Sequence, residues 1–323
     1  MLRMLTLLAA LIMGATGVNQ ALAQSAYPNK PIRIVVPFGP GGFADITMRL
    51  VGQRLQERTG QQVIIENRPS AGGIVAANAV TAATPDGYTL FVMASGIALS
   101  KSLIKSMPFD PETAFEPIST VALFDNLLLV KADSPMKSIK DFLDAARANP
   151  SAFNIGTINP GSTQNVTGEL VRSAVGIPMT IVPHRTSGEV LASLLRGDTQ
   201  MAVESYAALK SAIDGGSARV IAGTGSKRSP MAPNAPTMKE SGYGDVVCDG
   251  WNALVAPAGT PRDIIAAING HLRAAIESPE FRTRMIDLGG EPSPSTPDEL
   301  RARLKSDIAM WATVVKKAGI EPR

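Results

Sequence analysis

The stretch best equipped for chemistry is residues 38–45, FGPGGFAD, which follows the apolar run IRIVVP and opens a segment with helical spacing. Gly39, Gly41 and Ala44 fit the G-x-G-x-x-A spacing with which a strand–turn–helix unit cradles a dinucleotide diphosphate. Glu66 closes the strand VIIE where the ribose-binding acid of such a site would stand. Two prolines oppose that use, because Pro37 cuts the strand short and Pro40 sits inside the turn, and each removes a backbone donor. The amides of Gly41, Gly42, Phe43 and Ala44 remain at or near a helix N-terminus, where unsatisfied donors and the helix dipole favour an anion. A single carboxylate suits that place without a lysine. Asp45, one step inside the helix, either caps it as a first-turn acid or bonds a ligand's amino or hydroxyl group.

A second loop has similar chemistry. Residues 156–165, GTINPGSTQN, also lie between an expected strand and helix. Thr157, Ser162 and Thr163 supply hydroxyls, and Gly161 permits close backbone approach. An ordinary Ser/Thr-capped helix is the alternative reading. Two such loops, one per expected lobe, place a ligand in a cleft between lobes at the carboxyl ends of strands.

The residues for catalysis or metal binding are sparse. Cys248 is the sole cysteine, has no local Cys-His signature in VVCDGW, and reads as a small buried hydrophobe. His184 and His271 lack zinc spacing, and no G-x-S-x-G elbow occurs, so neither a metal nor a cofactor is expected. Lys and Arg total 31 against 28 acids, with no basic run, and aromatics make up 5% of the chain. That composition excludes a nucleic-acid surface.

The N-terminus, MLRMLTLLAALIMGATGVNQALAQS, has a basic start, an apolar stretch from Met4 to Met13 and a small-x-small ending at Ala21–Ala23. It reads as a signal peptide over residues 1–23, which predicts a soluble protein outside the cytoplasm. Export is a further argument against a nicotinamide cofactor.

Beyond it the chain writes an α/β grammar twice. IRIVVPF, QQVIIENR and YTLFVMAS are strands separated by the helices ADITMRLVGQRLQERTG and GGIVAANAVTAATPDG. FNIGTINPG, MTIVPH, TQMAVES and ARVIAGTG repeat the alternation with helices between them. The apolar strands in STVALFDNLLLVKADSP and GWNALVAPAGTP flank the second unit, and the last 60 or so residues are mostly helical by periodicity. The expected fold is α/β, with mainly parallel sheets flanked by helices in two lobes. Lobe 1 spans 24–124 and 245–323, and lobe 2 spans 125–244. Trp251 and Trp311 fit partly buried packing.

YPNKPIRIVVPFGPGGFADITMRLVGQRL, VIIENRPSAGGIVAANAV, PDGYTL, GTGSKRSP and WNALVAPAGTP together resemble the Bug-type substrate-binding proteins of tripartite tricarboxylate transporters, over nearly all of the mature chain. The resemblance implies a periplasmic binding protein of the type II class, a Venus flytrap whose lobes close on a small mono- or dicarboxylate, aromatic ones included. It also implies delivery to membrane permease subunits or presentation to a sensor. A monomer is expected. The implied ligand-binding residues are Phe38, Pro40, Gly41, Gly42, Phe43, Ala44 and Asp45 of the first loop, Ser95 after the third strand, and Thr157, Asn159, Gly161, Ser162, Thr163 and Gln164 of the second. His184 and Glu204 complete the set, while Glu66 looks structural. The chain departs from the family pattern at Asn159, Gly161-Ser162 and Asn165, where a Gly-x-Gly-Ser run and a following histidine are usual. It departs again at His184-Arg185-Thr186, where Tyr-Lys-Gly is usual. An exported enzyme acting on a carboxylate or ester is the alternative reading, and a dinucleotide-binding protein the third.

Overall fold

The structure, a computed structural model, describes residues 27–317; the signal segment expected over 1–23 lies outside them. The first sheet contains β1 (Ile32–Val36), β2 (Val63–Asn67), β3 (Thr89–Ala94), β4 (Phe115–Asp125), β10 (Asp249–Pro257) and β11 (Gly290–Pro292), in the order β11-β4-β10-β3-β1-β2. The second contains β5 (Leu127–Lys131), β6 (Asn154–Ile158), β7 (Thr180–His184), β8 (Met201–Glu204) and β9 (Ala218–Gly223), in the order β7-β6-β8-β5-β9. A single residue, Asn126, separates β4 in one sheet from β5 in the other.

The two-lobed α/β fold expected from the sequence is therefore present, with sheets more mixed than the mainly parallel ones anticipated. The parallel pairings, β2-β1-β3 and β7-β6-β8, arise where helices cross between strands. The strands flanking the second unit run the other way. β10 pairs antiparallel with both β3 and β4, and β5 pairs antiparallel with both β8 and β9.

The helices follow their sequence signals. α1 (Phe43–Thr59) ends at Gly60 in left-handed conformation, and α2 (Ile74–Thr81) stops ahead of Pro85. α3 (Ser95–Leu103) starts directly after β3, and α4 (Ile139–Ala148) opens with a capping box between Ser138 and Asp141. α5 (Thr163–Val175), α6 (Ser187–Arg196) and α7 (Tyr206–Asp214) cover the second sheet. α8 (Arg262–Ile276), α9 (Pro279–Asp287) and α10 (Pro297–Lys317) complete the chain.

One large core runs from Ile34, Phe91 and Phe281 in the first lobe to Leu127, Ile158 and Val190 in the second. A separate core around Phe142, Ile155 and Val203 fills the far side of the second sheet. A third cluster joins Val166 and Leu170 of α5 to Cys248 and to Trp311 and Val315 of α10, so the last helix touches both lobes. Trp311 is thus core, and so is Trp251, whose indole Nε1 donates to Asp307 at 2.6 Å.

Candidate functional site

Both glycine loops cross from a strand to a helix through a left-handed glycine, Gly41 with φ 83° and Gly161 with φ 82°. Only glycine takes that conformation without steric cost. Their helix starts differ. α1 begins after Gly42, which is extended and offers no side-chain cap, so the first amides of the helix have no intrahelical acceptor. α5 begins after Ser162, whose hydroxyl accepts from Asn165 N at 3.0 Å.

Asp45 faces into the protein. Its carboxylate accepts from Gly41 N (3.0 Å), Asn67 Nδ2 (3.0 Å) and Arg49 Nε (3.1 Å), and Arg49 closes an ion pair at 2.9 Å. Asn67 also donates to Phe38 O at 3.0 Å. Asp45 therefore braces the turn from behind and consumes the Gly41 amide, leaving those of Gly42, Phe43 and Ala44 at the cleft end of the helix. Pro40 is exposed on the turn.

The second loop spends its groups on itself and on the opposite lobe. Thr157 Oγ1 donates to Ile158 O (3.0 Å) and accepts from Asn165 Nδ2 (3.1 Å). Asn159 Nδ2 donates across the cleft to Ser70 O at 2.7 Å, and Gly72 N donates to Pro160 O at 3.0 Å. Thr163 Oγ1 and Ser95 Oγ lie 2.9 Å apart, and Ser95 Oγ also accepts from Trp251 N at 3.3 Å. The backbones approach closely here: a Cβ on Gly96 would meet Gly161 O at 2.4 Å, and one on Gly161 would meet Ser100 Oγ at 2.5 Å.

Gln164 Nε2 donates to Glu204 Oε2 at 3.2 Å; the same carboxylate accepts from Ser205 N at 2.6 Å and from Ser187 Oγ at 2.5 Å. Burial pushes the Glu204 carboxyl up, while these hydrogen bonds pull it down. Glu204 is thus saturated by the protein and positions Gln164. His184 ends the edge strand β7 and does not line the cavity between the lobes; burial lowers its pKa.

That cavity measures about 20 Å³ and is lined by Phe38, Gly42, Phe43, Ala44, Ala94, Phe124, Ile158, Thr163, Gln164 and Asn252. It is space for about one water, so admission of anything larger requires the lobes to part. The lining carries no charged side chain. Sequence reasoning missed Phe124, Asn252 and the α6 start. Phe124 packs on Phe43 with ring centroids 4.3 Å apart, and Ser187 Oγ would lie 3.3 Å from a Cβ on Gly42. The one signal for Asn252 was an amide side chain inside the otherwise apolar strand WNALVAP.

Behind Phe124 lies a separate groove of about 440 Å³, whose lining includes Asp125, Lys227, Arg228, Asp249 and Arg282. Asp125 faces Asp249 across the β4–β10 pair, and burial followed by that like charge raises its carboxyl to about 6. Cys248 is buried, with its thiol pushed up to about 12, which suits packing rather than nucleophilic attack. Among the described residues, no group of three or more His, Cys, Asp or Glu could hold a metal ion.

The family profile described as "Tripartite tricarboxylate transporter family receptor" matches residues 47–320. The protein BugT of Bordetella pertussis is 31% identical over 311 residues, spanning 96% of this chain and 95% of the relative. Among solved structures, the periplasmic binding protein BugD superposes with a TM-score of 0.88 at 30% identity, covering 92% of this chain and 100% of that one. An R. palustris protein solved with adipate gives 0.88 at 32% identity, with the same coverage. MatC from Rhodopseudomonas palustris, solved with bound malate, gives 0.85 at 28% identity, covering 90% of this chain and 100% of that one. The chain therefore belongs to the tripartite tricarboxylate transporter family of receptors, which are periplasmic, non-catalytic solute-binding proteins.

Proposed function

We propose that this receptor captures a small carboxylate between its lobes and presents the closed, loaded form to membrane permease subunits of a tripartite-type transporter. The observation that carries the reading is the uncapped start of α1. Gly42, Phe43 and Ala44, at the uncapped helix start, line a cavity without charged side chains, and a carboxylate is the group that a helix N-terminus best satisfies there. The adipate and malate bound by two relatives are of that class. In this reading residues 1–23 direct export, residues 24–124 with 245–323 form one lobe, residues 125–244 form the other, and the receptor acts as a monomer. The change of sheet at Asn126 and the return of the chain through β10 support that division. Closure then couples the ligand to the partner, because the ligand favours the closed state by the difference of its affinities for the two states.

Thermal unfolding of the protein from Gln24 onward, against carboxylates, amides and nicotinamide dinucleotides, tests the reading. A ligand at a hundredfold excess over its Kd stabilises by about 2.7 kcal/mol and raises the midpoint by a few degrees. Shifts with carboxylates alone are expected. Shifts with dinucleotides alone would restore the fingerprint reading of residues 39–44.

A further inference from the structure

The cavity lining includes Asn252, a buried amide on the strand that returns from lobe 2, 1% exposed, with its Nδ2 lacking any hydrogen-bond acceptor. A buried amide donor without a partner is costly, and its persistence calls for a physical reason. Its setting supplies one. In β10, Asn252 stands opposite Ala94 of β3 and Ala122 of β4, and the register with β4 slips between Asn252 and Ala253. Such irregularities re-aim a side chain out of the regular ladder and recur beside binding sites. The alanines opposite it offer no side-chain acceptor, and the cavity that Asn252 lines is where an acceptor can reach it.

The rest of the lining limits what that acceptor belongs to. Phe38, Phe43, Phe124, Ala44, Ala94 and Ile158 are apolar. The Gln164 amide nitrogen is held by Glu204, and Thr163 is engaged with Ser95. A hydroxyl or carboxylate branching from the middle of a ligand would face these apolar walls, with the Gln164 amide nitrogen already engaged.

We propose that Asn252 is a specificity-determining residue that donates from Nδ2 to a carboxylate oxygen of the ligand, and that the ligand is a carboxylate with a hydrocarbon body rather than a hydroxylated or branched polycarboxylate. This rests on the receptor reading above. Charge is met by backbone amides and the Asn252 amide, and selectivity by the aromatic wall of Phe43 and Phe124, which rejects polar substituents through the cost of desolvating them unpaired.

The test is isothermal titration calorimetry of the wild-type protein and of Asn252→Leu and Asn252→Asp with adipate, benzoate, malate and citrate, alongside the midpoint of unfolding of each ligand-free protein. The wild type is expected to bind adipate or benzoate at least ~10-fold more tightly than malate or citrate, the loss typical of one unpaired buried polar group. Asn252→Leu should lose roughly 10-fold or more in affinity for the preferred ligand while its ligand-free midpoint stays level or rises, because the substitution removes an unsatisfied donor. A purely structural asparagine would lower the midpoint instead. Asn252→Asp, nearly isosteric, should lose more than Asn252→Leu, since an acceptor and a like charge replace the donor. Equal or tighter binding of malate or citrate by the wild type would overturn the hydrocarbon-body assignment. Unchanged affinity in both variants would overturn the role of Asn252. No binding of any carboxylate by the wild type would overturn the receptor reading itself, a different failure from either.

Discussion

The loops at 38–45 and 156–165 share one local grammar and use it in opposite directions. Each leaves a strand, turns through a left-handed glycine and opens a helix, with Gly41 and Gly161 one degree apart in φ. Around Gly41 a side chain would meet nothing within 4 Å, whereas Gly161 is wedged between Ser100 and Gly72 of the facing lobe. The first helix is left uncapped and the second is capped by Ser162. The first loop therefore leaves helix-start donors without a side-chain cap, which the proposed reading gives to a ligand, and the second satisfies its own and meets the opposite lobe. Loop conformation alone does not reveal a binding site; the partners of its donors do.

The sharpest way to break this division is to substitute the two glycines in parallel. Gly161→Ala combines the left-handed penalty of about 1–2 kcal/mol with a contact at 2.5 Å to Ser100 Oγ and 2.9 Å to the Gly72 backbone, so it should hold the lobes apart. A loss of roughly 100-fold in ligand affinity is expected, with no ligand-induced contraction in small-angle scattering. Gly41→Ala carries the backbone penalty without the clash, so a smaller loss of about 10-fold and an intact contraction are expected. Equal effects would erase the distinction.

Gly96→Ala sharpens the same point from the other lobe. Its Cβ would meet Gly161 O at 2.4 Å and Thr163 N at 2.6 Å, while alanine in the first turn of α3 raises helix propensity by up to about 1 kcal/mol. Closure and affinity should fall while the stability of the open protein stays level, read by calorimetric titration and thermal unfolding.

Ser162→Ala should cost about 1 kcal/mol of stability by removing the α5 cap, with little change in affinity, since that hydroxyl serves the helix.

Asp125 supplies a control outside both loops. Its carboxyl sits near 6 in the fold against about 3.9 in the unfolded chain, so the native state binds the extra proton between those values. The stability contributed by the protonated Asp125 carboxyl is therefore fully present below about pH 4 and lost as pH rises toward 6, a decline on the order of 1–2 kcal/mol. Asp125→Asn should flatten most of that decline, as measured by urea unfolding across pH 4–7.

Much of this architecture was legible in the chain because its signals are local. Gly60 after QRLQERT, the Ser138 capping box and the β-branched runs IRIVV and TIV each fix an element by their own chemistry. The short helix Pro279–Asp287 and β11 went unread, since a nine-residue helix followed by three strand residues carries little periodicity. The mixed sheets were hidden for another reason: strand direction in β5 and β10 depends on where the chain returns, a property of the whole topology. Within the cleft, the sequence marked the loops, while Phe124 and Asn252 enter from crossover strands far along the chain from the first loop. Asp45 looked equally fit for a ligand or a helix; only the positions of Arg49 and Asn67 showed that its carboxylate braces the turn.

The most direct test of the division between the loops is a crystal structure of the protein with its tightest-binding carboxylate. The account expects a carboxylate oxygen within hydrogen-bond distance of at least two of the Gly42, Phe43 and Ala44 amides, with Ser162 Oγ still accepting from Asn165 N at the start of α5. A carboxylate seated instead on the Ser162–Thr163 helix start, with the α1 amides facing water, would contradict it.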